Sequence, residues 1–343
     1  MSAAERLLCL SPAEQPVLSV EAMAVPQPGK GEVVVRVEAA AINPIDVKRA
    51  GGYGQRLLKL KGAGKFPLVL GNDIAGVVES VGAGVTMWRP GDRVFGLVPT
   101  GKGGAHASHV AVVERWLRPG LDGYDAAALV AFPYTFTTLW QSLRAVGINP
   151  DNAKNREVLV HGASGGLGQL AIQILVRWGA AVTAICSTPN IDICRNLGAT
   201  TVWDRKRQSL SDLPQRYDAV LNFGSPEDEA RLIGRLKQGA LGYATTVHPL
   251  LHNFDAHGWL AGAWRTRQDL RRGKALAAAK GARYGWVIFK PEAEALDMLH
   301  RALADRSLVL PVGISVPFSE ARQAFEHVAL QQPGRAILLP WAC

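Results

Sequence analysis

The chain has 343 residues, 48% of them hydrophobic and 20% charged, with a formal net charge of +9. That length accommodates two domains with separate cores, and that balance excludes a disordered chain. No apolar run approaches a membrane span and Met1-Ser2-Ala3-Ala4-Glu5 lacks a signal-peptide pattern, so an integral membrane segment is excluded and a cytoplasmic setting is expected. Short β-type runs come first: Val33-Val34-Val35-Arg36-Val37, Ile74-Ala75-Gly76-Val77-Val78 and Arg93-Val94-Phe95-Gly96. Turn signals such as Gly29-Lys30-Gly31, Gly82-Ala83-Gly84 and Arg89-Pro90-Gly91-Asp92 bound them, predicting a glycine-punctuated β domain up to about Leu129. From Val158 strands and helices alternate, with strands near 158–161, 181–187, 200–203, 218–223 and 240–247. Such alternation predicts a parallel sheet with helices on both faces. Then come a helix from about Pro291, a β-type run from Leu308 to Val316, a helix from about Ser319 and a strand Ala336-Ile337-Leu338-Leu339. These break the alternation. The expected domains are therefore 1–128 for the β-rich part, 129–289 for the alternating part, and 290–343 returning to the first.

The most specific local signal is Gly162-Ala163-Ser164-Gly165-Gly166-Leu167-Gly168, which follows the apolar Val158-Leu159-Val160. It opens a helix patterned by Leu170, Ala171, Ile174, Leu175 and Trp178. Strand, glycine turn and helix in that order make a dinucleotide pyrophosphate site, because glycines admit the phosphates and the first helical N–H groups face them. Ser164, Gly165, Gly166, Leu167 and Gly168 are the candidate contacts. The next strand, Ala181-Val182-Thr183-Ala184-Ile185, ends in Cys186-Ser187-Thr188-Pro189-Asn190. An NAD site places an Asp or Glu near there for the ribose 2′-hydroxyl. Here that acid is missing, and Asp192 comes too late and reads as an acid in a first helical turn. NADPH is favoured over NADH, with Ser187 and Arg205, from the cluster Arg205-Lys206-Arg207, as 2′-phosphate ligands. The alternative is that the three cations are solvated surface charges. His248 falls where a fifth strand ends, and either lines the cofactor cleft or begins a loop before Pro249.

Other features point away from metals and nucleic acid. Cys9, Cys186, Cys194 and Cys343 lack C-x-x-C spacing, arguing against a disulfide framework or a structural zinc lobe. His106 and His109 lie three apart without cysteine or carboxylate neighbours, and read as surface or pocket-edge residues. Arg265, Arg267, Arg271, Arg272, Lys274, Lys280 and Arg283 lie between Trp264 and Trp286, against Asp269 alone. The simplest reading is a solvated helix face; a rim that steers an anionic substrate is another. Nucleic acid comes last, because no binding motif accompanies the patch.

The whole arrangement resembles the zinc-independent quinone-oxidoreductase branch of the medium-chain dehydrogenase/reductase superfamily. Its markers here are Ala41-Ile42-Asn43-Pro44-Ile45-Asp46-Val47-Lys48, Gly52-Tyr53-Gly54, Pro67-Leu68-Val69-Leu70-Gly71-Asn72-Asp73-Ile74-Ala75-Gly76 and Pro90-Gly91-Asp92-Arg93-Val94. Pro133-Tyr134 with Thr138 and Trp140, and the glycine turn, complete the set. Lys280-Gly281-Ala282-Arg283-Tyr284-Gly285-Trp286 and Val316-Pro317-Phe318-Ser319-Glu320 look most like the reticulon-interacting mitochondrial oxidoreductases. Fungal trans-acting enoyl reductases look similar from Cys186-Ser187 to Gly198-Ala199.

The resemblance implies an α/β chain: a GroES-like β-rich catalytic domain plus a doubly wound Rossmann domain that binds NADPH. Zinc-dependent relatives hold metal with a cysteine and a histidine where this chain has Asn43 and Asn72, so no metal is expected. Without a Lewis acid the substrate must already be electrophilic, a quinone or an activated alkene. A zinc-free carbonyl reductase or alcohol dehydrogenase, and a non-enzymatic NADPH-binding protein, are the alternatives. Tyr53 matches a tyrosine implicated as proton donor in related enoyl reductases, and reads equally as a pocket-wall aromatic. Asn43 would orient the substrate oxygen or the cofactor ribose, or simply set a turn before Pro44. Thr138 resembles the threonine near the nicotinamide, while pattern alone makes it a packed helix residue. Asp46 reads as a site acceptor or as an acid at a helix N-terminus. Leu221-Asn222-Phe223-Gly224 departs from the family's usual Asp-Asn-Val-Gly, and Arg205 replaces a common tyrosine. The implied partner is a small-molecule substrate, and a homodimer is implied because relatives often pair through the edge strand of the nucleotide domain.

Overall fold

The computed structural model describes residues 4–101 and 103–341, so Met1, Ser2, Ala3 and Cys343 of the sequence reading lie outside it. Its described residues divide into two compact units: 4–137 with Lys290–Arg306 and 310–341, and Thr138–Phe289 with Ser307–Val309.

The chain begins with strands β1 (Glu5–Cys9), β2 (Leu18–Ala22) and β3 (Glu32–Ile42), then helices α1 (Pro44–Ala50) and α2 (Gln55–Lys59). Strands β4 (Leu68–Val69), β5 (Asp73–Val81), β6 (Arg93–Leu97), β7 (His109–Val113) and β8 (Leu117–Pro119) precede helices α3 (Ala126–Val130) and α4 (Pro133–Val146). The second unit runs β9 (Glu157–His161), α5 (Gly166–Arg177), β10 (Ala181–Cys186), α6 (Ile191–Asn196), β11 (Thr201–Asp204) and β12 (Ala219–Asn222). It continues through α7 (Glu229–Ile233), β13 (Gly242–Thr245), α8 (Leu250–Ala278) and β14 (Arg283–Trp286). Helix α9 (Ala293–Ala304), strand β15 (Val312–Pro317), helix α10 (Ala321–Ala329) and strand β16 (Arg335–Leu339) follow.

In the first unit β3 organises the sheet. Its residues pair antiparallel with β5, β7 and β16, and the sheet order is β15-β16-β3-β5-β6-β8 with β7 also on β3. Val33, Val35 and Val37 alternate into one core with Ile74, Val78, Val94 and Leu117. At the other end of the strand Ile42 joins a second core with Leu70, Phe318, Phe325 and Leu338. Each such fully buried aliphatic side chain contributes about 1.5–3 kcal/mol. Both ends of β3 are thus fixed by burial, and the residues that follow Ile42 inherit that rigidity.

In the second unit every neighbouring pair of strands is parallel, in the order β11-β10-β9-β12-β13-β14. This is the doubly wound order in which the first strand, β9, lies beside the fourth, β12. Ligands of such sheets bind beyond the carboxyl ends of the strands at that reversal. The sixth strand, β14, is absent from the sequence expectation, as are β1, β2, β4, β7 and β8. Of the basic stretch, Arg265, Arg267, Arg271, Arg272 and Lys274 lie on helix α8, whereas Lys280 follows its end and Arg283 opens β14. Among the described residues no helix is long and apolar enough to cross a membrane.

Candidate functional site

The glycine turn lies at the carboxyl end of β9. Gly162 turns the chain at φ +75°, where a Cβ would come within 2.9 Å of the Gly224 backbone. A side chain on Gly168 would overlap the backbone of Gly162 and Ala163, so only glycine lets helix α5 start this close to its strand. Gly165 differs. It is the N-cap of α5, no side chain caps that end, and a Cβ there would meet only the Gly162 carbonyl, at 3.5 Å. The first N–H groups of a twelve-residue helix therefore open onto space that glycine keeps clear, which suits a pyrophosphate. Ser164 accepts a hydrogen bond on its carbonyl from Gln169 Nε2 at 2.8 Å, fixing the turn.

The end of β10 lies beside the end of β11, with Cys186 opposite Asp204. Ser187 and Arg205 each follow by one residue, and the Arg205 N–H donates to the Cys186 carbonyl at 3.0 Å. The two predicted 2′-phosphate ligands are therefore brought together. Ser187 Oγ accepts from Asn190 Nδ2 at 3.0 Å, while the Arg205 side chain is exposed. The nearby Asp204 carboxylate is occupied: it accepts from Thr188 Oγ1 at 2.7 Å and from the Lys206 N–H at 2.9 Å.

A polar network that the sequence reading missed lies where β9 and β12 end. His161 Nδ1 contacts Asn222 Oδ1 at 2.9 Å, and Asn222 Nδ2 donates to the Tyr243 hydroxyl at 2.9 Å and to the Ser225 carbonyl at 2.7 Å. Gly224 lets the chain pass against the His161 ring. Next to it Tyr243 stacks on Tyr284, whose hydroxyl donates to Glu229 at 2.9 Å and accepts from Trp286 Nε1 at 2.6 Å. Burial pushes the Glu229 carboxyl above the usual range, against the pull of that Tyr284 hydrogen bond. His248 stacks on Trp286 at 4.9 Å and its Nε2 lies 3.2 Å from the Val287 carbonyl, tying the loop after β13 to the end of β14. Thr138 is buried on α4, and its carbonyl accepts from Ser142 Oγ at 2.8 Å.

In the first unit, Asn43 is buried with both ends of its amide engaged. Nδ2 donates to Asp73 Oδ2 at 2.7 Å, and Oδ1 accepts from Arg335 Nη2 at 2.6 Å. Asp73 also accepts the Tyr134 N–H at 2.5 Å. Burial pushes the Asp73 carboxyl up to about 7, opposed by the Arg335 guanidinium and by the hydrogen bonds from Asn43 and Tyr134. Asp46 accepts the Asn43 N–H and the Gly71 N–H, each at 2.9 Å, so it closes the start of α1 as a helix-terminal acid does. Asn72 Nδ2 donates to the Val98 carbonyl at 2.8 Å. The amides standing where zinc-dependent relatives place ligands are thus committed to hydrogen bonds. His106 turns to the Ala41 carbonyl and His109 to Glu79. Among the described residues no group of three or more His, Cys, Asp or Glu side chains is arranged to hold a metal. Tyr53 is half-buried, its N–H donates to the Lys48 carbonyl, and Lys48 Nζ lies 5.6 Å from its ring centroid.

Residues 29–122 match the alcohol dehydrogenase GroES-like domain. The zebrafish (Danio rerio) protein named NAD(P)H oxidoreductase RTN4IP1, mitochondrial, is 34% identical over 87% of this chain and 80% of its own length. The Homo sapiens protein of the same name is 34% identical over 87% and 78%. The chain belongs to the medium-chain dehydrogenase/reductase superfamily. Within it the chain falls in the quinone-oxidoreductase-like branch, and the first unit carries its GroES-like domain. The chloroplastic quinone-oxidoreductase QR1 of Triphysaria versicolor is 32% identical over 59% of this chain and 62% of its own. The solved quinone oxidoreductase of Coxiella burnetii shares the fold with a TM-score of 0.79 at 21% identity, covering 98% of this chain and 99% of that one.

Proposed function

We propose that the protein is a zinc-independent, NADPH-dependent oxidoreductase that reduces a quinone or an activated alkene. One observation carries the cofactor part: the second parallel strand ends without an acid, and Ser187 and Arg205 sit side by side there, beyond an uncapped glycine turn. When bound, NADPH supplies the hydride. The N–H groups of Gly166, Leu167 and Gly168, over the space kept clear at Gly165 and beside Ser164, would hold the pyrophosphate, and Ser187 and Arg205 the 2′-phosphate. Thr138 and His248 complete the assigned cofactor contacts. Tyr53 would donate the proton that completes the reduction, since a phenol with a pKa near 10 is protonated at neutral pH.

Asn43 would act by position: with its amide shared between Asp73 and Arg335, it holds the start of α1 and, through it, the segment bearing Tyr53. The zinc-free reading is supported by the same commitment of Asn43 and Asn72. The cytoplasmic setting is part of this reading, and cell fractionation weighs it against the mitochondrial names of the relatives.

Calorimetric titration with NADPH and NADH in parallel tests the cofactor. NADPH should bind at least tenfold tighter, about 1.4 kcal/mol, and Arg205→Gln should remove most of that preference while leaving NADH unchanged. Equal affinities would sink the 2′-phosphate assignment; no binding of either would favour a non-enzymatic protein. Tyr53→Phe should cut turnover with quinone or enone substrates by roughly 10²–10⁴-fold at unchanged NADPH affinity. Undiminished turnover would remove Tyr53 as donor.

A further inference from the structure

Helix α8 carries the basic stretch, and its outer face takes no part in the cradle above. Gly258, at φ 74° and ψ −168°, breaks it into two arms. They fold back on each other: Asn253 Nδ2 donates to Asp269 at 2.8 Å and to Thr266 at 3.3 Å, and Gly262 brings the arms into backbone contact at Asn253 and Phe254. The tip of this hairpin is apolar and exposed, with Trp259 47%, Leu260 90% and Trp264 59% accessible. Leu260, Trp264, Arg267, Arg271 and Lys274 follow one another at spacings of four and three, which places them along one side of the second arm. Asp269, the lone acid between Trp264 and Arg283, is turned inward to Asn253. A groove of about 480 Å³ runs between the arms, walled by Leu250, Phe254 and Leu270 and edged by Arg267, Arg271 and Lys274.

The charge decides what covers this face. A second copy would set the same cations against themselves. A nucleic acid would answer the arginines and could stack on the tryptophans, but it would leave Leu260, the most exposed apolar side chain of the tip, in water. An anionic lipid surface satisfies both sets, with indole rings at the headgroup level and guanidinium groups on phosphates. We propose that the α8 hairpin docks the protein peripherally on an anionic membrane, Trp259, Leu260 and Trp264 entering the headgroup–acyl boundary and Arg267, Arg271 and Lys274 meeting the phosphates. No transmembrane segment is involved, and the docking is independent of the oxidoreductase reading.

The test uses the full chain and co-sedimentation with vesicles of phosphatidylcholine alone or enriched in phosphatidylglycerol. The chain should bind the anionic vesicles, release them at high salt, and leave neutral vesicles nearly untouched. A variant carrying Arg267→Gln, Arg271→Gln and Lys274→Gln should lose about a hundredfold in affinity, since each cation near such a surface contributes roughly fivefold. Leu260→Ser alone, at a site so exposed that the fold should not notice, should lose several-fold. The chain has nine tryptophans, so brominated-lipid quenching should be compared between the parent and Trp264→Phe, the parent quenching more. Absence of binding to anionic vesicles, or binding indifferent to both sets of changes, would overturn the proposal. So would a dimer lost on Leu260→Ser, or charge-dependent binding of duplex DNA or RNA in place of lipid.

Discussion

Asn43 shows how a residue matched to a family motif takes its meaning from its neighbours. Its amide lies between a carboxylate and a guanidinium, all three buried, so removing it leaves two charged groups each short of a partner. Asn43→Ala should therefore cost about 2–4 kcal/mol of stability, visible as a lower denaturant midpoint. A residue that only touched substrate would lose turnover with the midpoint unmoved. Asp218, at the entry to β12, gives the pH counterpart. It is buried, which alone would raise its carboxyl, but Lys237 at 2.7 Å, the Glu157 N–H at 3.0 Å and Arg156 at 2.8 Å outweigh burial and hold it below 3.8. The folded state therefore binds that proton less readily than the unfolded state. The stabilisation is present above about pH 4 and is lost as pH falls through the depressed value. Asp218→Asn should flatten that acid limb in denaturant titrations from pH 5 to about pH 2; an unchanged limb would remove Asp218 as its source.

At the scale of elements, the strand–turn–helix at 157–177 was legible because its chemistry is local: an apolar run, glycines where backbone meets backbone, then helical periodicity. The same turn separates fold from ligand. Gly168→Ala should destabilise the protein by forcing α5 off β9, because the obstructing atoms are backbone and cannot swing away. Gly165→Ala should leave the unliganded melting temperature nearly unchanged and lower NADPH affinity at least tenfold, since its methyl group fills only the cradle. Equal effects of both on calorimetric melting and binding would mean the cradle is not the ligand site. Other elements were hidden for physical reasons. Strand β14 is four residues in which Tyr284 and Trp286 serve the Glu229 network, so it shows no plain apolar alternation. The Asn43–Arg335 contact joins residues 292 apart, and no spacing rule reaches that far. Asp73 had a signal, standing next to Asn72 in the motif, but an acid in a strand does not announce its guanidinium.

Over the whole molecule, the sequence discloses two architectures through their periodicities, short punctuated strands and then strand–helix alternation, and the observed bounds of the second sheet's first five strands lie within a few residues of those expected. It discloses less of the first unit, where strands as short as β4 and β8 depend on neighbours far along the chain. That dependence has a consequence for synthesis. Strand β16 closes on β3 through Ala336 opposite Ile42, and Arg335 reaches Asn43 across those 292 residues. At about 5–20 residues per second, a ribosome delivers the closing strand roughly 15–60 s after the strand it must join. Throughout that interval the nascent chain carries the Ala40–Ala41–Ile42 edge without its partner, along with an Asp73 lacking its counterion. The second unit, contiguous through residue 289 apart from three later residues, can meanwhile assemble. The first unit would thus be the last to close, and a chain stalled before Arg335 would present to chaperones an apolar strand edge rather than a finished fold.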